Sequence, residues 1–379
     1  MSNSCKIPWE TGTDPGRQPV RPVQQHFPRY ETGKIVESIH ALRGMTITVI
    51  VFRHCLYLFD SISLETSLFA KLVDEFFFNW TIFFVLISGY LFQYLSYKYD
   101  TRAYWAAKVK NIVIPYVTVS LAVFALLYPE TLEALPLISA DKDNLVVWGI
   151  GMLVTGQHCV QMWYIPMISV IYLMGPLLYR ISSRDLTVVA VICLLWTLIT
   201  YKPAPSNIPL NVLHYLPVYI IGMFLCQKHE AILRLTRENI AVIALFFLAI
   251  LGVSFHEKFN VLVLNQSGSY LMSIEKIVLF IILFYMLERF RLPAPLQTVF
   301  SYLANISLSV YLLHMGIIQT LLPHLGTLPW WETITTSENG LYSTLMNLLF
   351  TMVVILLCSA IVACVKLAFS RKSRLLIGA

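Results

Sequence analysis

Residues 36–54 read Val36-Glu-Ser38-Ile-His40-Ala-Leu-Arg43-Gly44-Met-Thr-Ile-Thr-Val-Ile-Val-Phe-Arg53-His54. Nothing ionises between Arg43 and Arg53, and the apolar run continues to residue 58. A helix needs about 20 apolar residues to cross a bilayer, so this stretch predicts a spanning helix. Arg43 and His54 are eleven positions apart. At about 100° per residue that is three turns and roughly 20°, so both lie on one face, about 16 Å apart along the axis. His40 joins that face from below and Tyr57 from above. Ionisable groups at membrane depth cost about 2.5–3.5 kcal/mol on insertion scales, and point to function. Arg43 alone is explained as well by snorkelling from the helix start, and His54 by a hydrogen bond between helices. Arg53 points about 100° away and is expected to snorkel outward or pair with an acid such as Asp60.

The rest of the chain repeats this pattern. Of 379 residues, 57% are hydrophobic and 13% charged, with mean hydropathy +0.69. Soluble domains carry about 25% charged residues, which excludes a soluble enzyme, a disordered regulator and a secreted disulfide scaffold. Further apolar segments fall at 76–97, 106–128, 162–180, 186–201, 212–227, 239–255, 270–288, 301–322 and 342–368. They do not alternate with period two as barrel strands would. The expected fold is all-α: a polytopic bundle of about ten transmembrane helices. Residues 145–155 are too short to span and are expected in the interface. The division expected is a flexible, Pro-rich cytoplasmic tail at 1–35, a membrane domain at 36–368 and a basic cytoplasmic tail at 369–379. Residues 1–35 hold no apolar core of the kind a cleavable leader needs. The seven cysteines form no C-x-x-C and are expected as buried free thiols.

Charge supplies a direction. With ten spans and both termini cytoplasmic, the inner pieces hold 21 of the 27 Lys and Arg residues but 9 of the 21 Asp and Glu residues. That is +12 inside against −6 outside, the +6 of the whole chain. The positive-inside rule selects this orientation. The basic charge is therefore topogenic, and no nucleic-acid partner is implied.

Other polar residues recur inside the spans. Ser88-Gly89 in the second permits close backbone approach. Ser307, Tyr311 and His314 have i, i+4, i+7 spacing and share a face. Lys108 and Lys110 sit where a phosphate-bearing cytoplasmic ligand would be met, though positive-inside charge alone explains them too. Trp163-Tyr164 is open to an interfacial-belt reading. Glu275-Lys276 is either an internal ion pair or an acid lining a cavity.

In order along the chain, Leu42-Arg43-Gly44 with His54, Phe83-Phe84-Val85-Leu86-Ile87-Ser88-Gly89-Tyr90, Tyr104-Trp105 through Pro115-Tyr116, Trp163-Tyr164-Ile165-Pro166 and Ile306-Ser307-Leu308-Ser309-Val310-Tyr311-Leu312-Leu313-His314 resemble acyltransferase family 3. The resemblance implies a membrane-bound acyltransferase of the glycan O-acetyltransferase type, in a bacterial inner membrane. It would take cytoplasmic acyl-CoA, acetyl-CoA by default, and acylate a hydroxyl of an extracytoplasmic or lipid-linked glycan. It carries Arg43 and His54 over as functional residues, with His314 and Tyr311 behind them. This chain has His40 where members commonly have an acid. No fused extracytoplasmic hydrolase-like domain is expected, leaving room for a homodimer or a separate polysaccharide-assembly partner.

On that reading His54 is the general base. Arg43 holds phosphate with Lys108 and Lys110, and His314 donates to the oxyanion or orients the acceptor. Tyr311, Trp163 and Glu275 contact substrate, and no metal is expected. Cys55 faces elsewhere on the helix and is not expected to be a nucleophile. A transporter or flippase for a lipid-linked saccharide would use the same intramembrane charges, and a non-catalytic assembly partner is the third reading.

Overall fold

The computed structural model describes residues 29–59, 67–134, 145–260, 271–335 and 337–379. Cys5, Asp60 and most of the expected N-terminal tail lie outside them, as does the side chain of Tyr57. The described residues are helical, with no strand among them. The helices are α1 (Arg29–Phe59), α2 (Leu68–Phe77), α3 (Thr81–Tyr94), α4 (Thr101–Lys108), α5 (Ile114–Ala134) and α6 (Leu145–Thr155). They continue with α7 (Tyr164–Leu173), α8 (Gly175–Ser182), α9 (Thr187–Ile199), α10 (Ile208–Gln227), α11 (His229–Asn260) and α12 (Met272–Arg289). The last are α13 (Ala294–Asn305), α14 (Ser307–Gly326), α15 (Pro329–Thr335), α16 (Gly340–Phe369) and α17 (Ser373–Ile377).

Seven of the resulting rods are long and apolar enough to cross a membrane, and the pair α7–α8, bent by 58°, makes an eighth. Two expected segments remain. Helix α9 has only 13 residues, and α12 carries Glu275, Lys276, Glu288 and Arg289. Three of those four are buried, so protein rather than lipid surrounds them.

Helix breaks have local causes. Asn79 sits at φ 55° between α2 and α3, a left-handed conformation that Asn tolerates better than most residues. Pro217 inside α10 cannot donate to the carbonyl of Leu213 four residues back. The Trp196 indole N–H donates to that carbonyl instead, at 3.1 Å. Between α4 and α5 the chain widens into a π-turn, Val109–Val113.

Two close crossings hold the centre. Helices α3 and α10 pack along their length, with Gly89 against the Tyr219 carbonyl and Gly222 against that of Leu86. Helix α1 packs on α13, α16 and α14. The helix ends meet in two groups. The C-terminal ends of α1 and α11 meet the C-terminal end of α2 and the N-terminal end of α12, through Arg53–Asp74, Lys258–Asp74 and Lys276 to the Glu75 carbonyl. At the opposite ends Tyr90 meets His229, and Gln93 donates to the Ser182 carbonyl. This up-and-down alternation shows which ends share a side.

The segment 369–379, expected as a basic tail, folds back after the end of α16. Helix α17 packs on α5 and α14, Ile377 is buried, and the Ser373 hydroxyl donates to the carbonyl of Ala379 at 2.8 Å.

Candidate functional site

The face predicted from residues 36–54 turns inward. At one end of it, Arg43 Nε donates to Ser307 Oγ at 2.7 Å. The Ser307 hydroxyl itself donates to the Ala304 carbonyl at 2.9 Å, so it is fixed as an acceptor. Tyr164, Tyr172 and Arg374 of α17 lie within Coulomb range of the guanidinium. Among the described residues no carboxylate stands within ion-pair distance of Arg43. A half-buried cation bonded to one neutral hydroxyl, beside a second cation, favours an incoming anion.

Tyr172 extends this end. Its hydroxyl donates to Ser88 Oγ at 3.3 Å, and its backbone carbonyl takes the Trp105 indole N–H at 3.2 Å. The Lys108 ammonium lies 4.0 Å from the centre of the Tyr172 ring and 5.2 Å from that of Tyr104. Lys110 is exposed on roughly the opposite side of the helix, so the structure brings Lys108 to Arg43's neighbourhood and leaves Lys110 out of it.

Three turns along α1, the His54 ring stands 5.2 Å from that of His314. The stripe read from α14 is intact: Ser307 holds Arg43, His314 faces His54, and Tyr311 lies between them. The Tyr311 hydroxyl donates to the Gln161 carbonyl, and its ring is 5.5 Å from Tyr164 and 6.0 Å from His314. Phe84 closes the side, 6.4 Å from Tyr164 and 6.5 Å from Tyr311.

His314 has a defined tautomer. Its Nδ1 is 3.0 Å from the Val310 carbonyl, which can only accept, so Nδ1 carries the proton. Neutral imidazole then leaves Nε2 as an acceptor, and this atom is buried without a partner. An unpartnered acceptor at the centre of a bundle is costly unless something donates to it in use.

Trp163 is buried 5.6 Å from Tyr215, whose hydroxyl donates to Asn79 Oδ1 at 2.9 Å. Glu275 is fully buried against the Lys276 ammonium, the ion-pair alternative of the two open in the sequence. Of the two alternatives for Arg53 the ion pair holds, with Asp74 at 2.7 Å; Asp60 lies outside the described residues. Asp74 also takes Lys258 at 2.6 Å, and Glu75 takes Lys258 at 3.0 Å. This network borders His54, which lies within Coulomb range of Arg53 and Lys202. Cys55 is buried toward Thr351 of α16, away from the histidine pair. Cys55→Ser is therefore expected to keep activity within about twofold, the scale of a substitution off the critical features, and measured turnover checks it.

Sequence reasoning missed Tyr172 and Arg374. Tyr172 lay in an apolar run where tyrosine reads as belt or packing, and Arg374 in a basic segment already explained by topology. Among the described residues no three His, Cys, Asp or Glu side chains converge as a metal site requires.

A family model described as an acyltransferase domain, that of acyltransferase family 3, matches residues 36–365. No curated protein and no solved structure matches the chain.

Proposed function

The chain belongs to acyltransferase family 3 and is a membrane acyltransferase; from that premise we propose that it moves an acyl group, acetyl by default, from acyl-CoA to a glycan hydroxyl across the membrane. The observation that carries this reading is the polar file through the bundle. It runs from a half-buried guanidinium with no carboxylate in ion-pair reach among the described residues, past Tyr172, Tyr164 and Tyr311, to an imidazole acceptor with nothing to accept.

In this reading the termini and the Arg43 end face the cytoplasm of a bacterial inner membrane, as the Lys and Arg asymmetry favours. Arg43, Arg374 and Lys108 hold the donor's phosphates, guanidinium being suited to bidentate phosphate contacts. The acyl-bearing arm then reaches along the ~16 Å of α1 between Arg43 and His54. Either an extracytoplasmic or a lipid-linked saccharide brings its hydroxyl to the histidines from the other side.

The His314 tautomer favours the opposite division of labour to the one expected between the histidines. His314 Nε2, aimed inward with its proton already on Nδ1, takes the proton from the acceptor hydroxyl. The hydroxyl oxygen attacks the thioester carbonyl, and His54 donates to the oxyanion that forms. The C–S bond breaks as the ester closes, and the proton on His314 passes to the departing thiolate. Atoms and charge balance without a covalent acyl-enzyme or a metal.

Donor binding separates from chemistry in this scheme. Arg374→Ala is expected to raise the donor KM by roughly tenfold, the loss of one charge-assisted contact, with kcat little changed. Steady-state kinetics at varied donor concentration checks it.

The reaction itself is tested with purified protein in lipid nanodiscs, following free-thiol release from acetyl-CoA with and without a host glycan extract. Acceptor-dependent release supports the transferase. A transporter or flippase would instead move lipid-linked saccharide in proteoliposomes with no thiol released.

A further inference from the structure

Beside His54, at the end of the bundle away from Arg43, the charges of the described residues do not cancel. Four cations gather there, Arg53, Lys202, Lys258 and Lys276, with three carboxylates, Asp74, Glu75 and Glu275. Each carboxylate is engaged: Asp74 by Arg53 and Lys258, Glu75 by Lys258, and Glu275 by Lys276. Lys202, in the loop between α9 and α10, has no carboxylate within ion-pair distance among the described residues. Its ammonium rests instead on two rings, 4.8 Å from the centre of Phe78 and 5.9 Å from that of Trp163.

Further unsatisfied polar atoms surround it. Asn79, next to Phe78, gives its Oδ1 to Tyr215, which leaves a buried Nδ2 donor unpartnered. His214, within Coulomb range of Lys202, engages Ser273 through Nε2 at 3.4 Å and leaves Nδ1 unpartnered. Asn79 and His214 are 5% and 2% exposed, so bulk water does not satisfy these atoms. Burial, then the charges of Arg53 and Lys258, push the Lys202 ammonium down to about 8. An arriving anion would relieve that repulsion.

We propose that Lys202, with Asn79 Nδ2 and the aromatic floor of Phe78 and Trp163, binds an anionic group on the acceptor saccharide, a carboxylate or a phosphate. The proposal deepens the transferase reading and rests on it for the word acceptor. Phe78, faced also by Lys258 at 4.2 Å and Arg53 at 5.3 Å, holds the cations in place, Trp163 supplies the apolar face beside them for a sugar ring, and the ammonium and the amide fix its charged substituent. The same group would hold a neighbouring hydroxyl toward His54 and His314, since Lys202 is within Coulomb range of His54.

Calorimetric binding to the full-length protein in nanodiscs tests this, with methyl β-glucuronide, glucose 1-phosphate and methyl β-glucoside as probes. At least one anionic probe is expected to bind roughly tenfold or more tightly than the neutral glucoside, the scale of a hydrogen bond to a charged group. Which anion is preferred tells a uronate from a phosphorylated or lipid-linked saccharide. Lys202→Gln should abolish the difference and Lys202→Arg should restore most of it. Equal affinities, a preference that survives in Lys202→Gln, or no binding of either anion would overturn the site. Acyl transfer is followed separately on the same preparations. Anion binding without transfer would sink the transferase reading and leave an anion site. Transfer without anion preference would do the reverse.

Discussion

Replacing His314 with Ala is expected to lower acyl transfer by about 10²–10⁴-fold, the contribution of a positioned general base, while the protein remains folded and monodisperse. His314 is fully buried, yet its hydrogen bond is to a carbonyl of its own helix, so no hydrogen bond between helices depends on it. The structural cost is confined to a cavity beside His54 and Tyr311, and the loss falls on chemistry. His314→Gln is the sharper variant, because its amide fills much of the space without a basic nitrogen. Turnover with saturating donor, on material matched by size-exclusion profile, decides it. A His314→Gln enzyme within threefold of wild type would remove the base role from this residue.

The largest expected effect on folding lies at the crossing of α3 and α10. A methyl at Gly89 would enter the Tyr219 carbonyl, and one at Gly222 the Leu86 carbonyl. Both obstacles are backbone, so no rotamer change relieves them. Gly89→Ala is expected to cost about 3 kcal/mol, the upper part of the overpacking range, and Gly89→Val to leave little folded protein. At Gly149 and Gly252 no atom lies within 4 Å of where a methyl would stand, and alanine there should change stability by less than about 0.5 kcal/mol. Thermal unfolding of the four variants in one detergent provides the comparison. A Gly89→Val protein as stable as wild type would mean that the two helices do not approach as described.

Helix periodicity made part of the site readable in advance. The eleven-residue interval from Arg43 to His54 and the i, i+4, i+7 stripe of Ser307, Tyr311 and His314 are properties of single helices, fixed by 3.6 residues per turn. The structure sets the two faces against each other, with Ser307 on Arg43 and His314 on His54. Gly89 was likewise legible as a point of close approach, because a missing side chain can be read from the sequence. What periodicity cannot provide is the partner across a helix interface. Arg53 pairs with Asp74 because α1 and α2 meet at that end, and nothing local distinguishes Asp74 from Asp60. Arg374 reaches the vicinity of Arg43 only because the chain after α16 turns back. The break at Asn79 was hidden for a related reason: Phe76 to Phe92 reads as one apolar run, and the left-handed residue that interrupts it is an asparagine that composition does not single out. The same limit applies to span length, since α9 is short and α12 is charged, and only their neighbours explain how such helices are accommodated.

The central claim is that an acyl group enters at the Arg43 end and is delivered at the histidine pair on the other side of the membrane. Inverted membrane vesicles supplied with radiolabelled acetyl-CoA test it most directly, comparing wild type with His54→Ala and His314→Ala at equal expression. The account predicts label on lumenal glycan in wild type, protected from added esterase until the vesicles are opened, and little label in either variant. Label of wild-type intensity in both variants, or label that esterase removes from sealed vesicles, would contradict it.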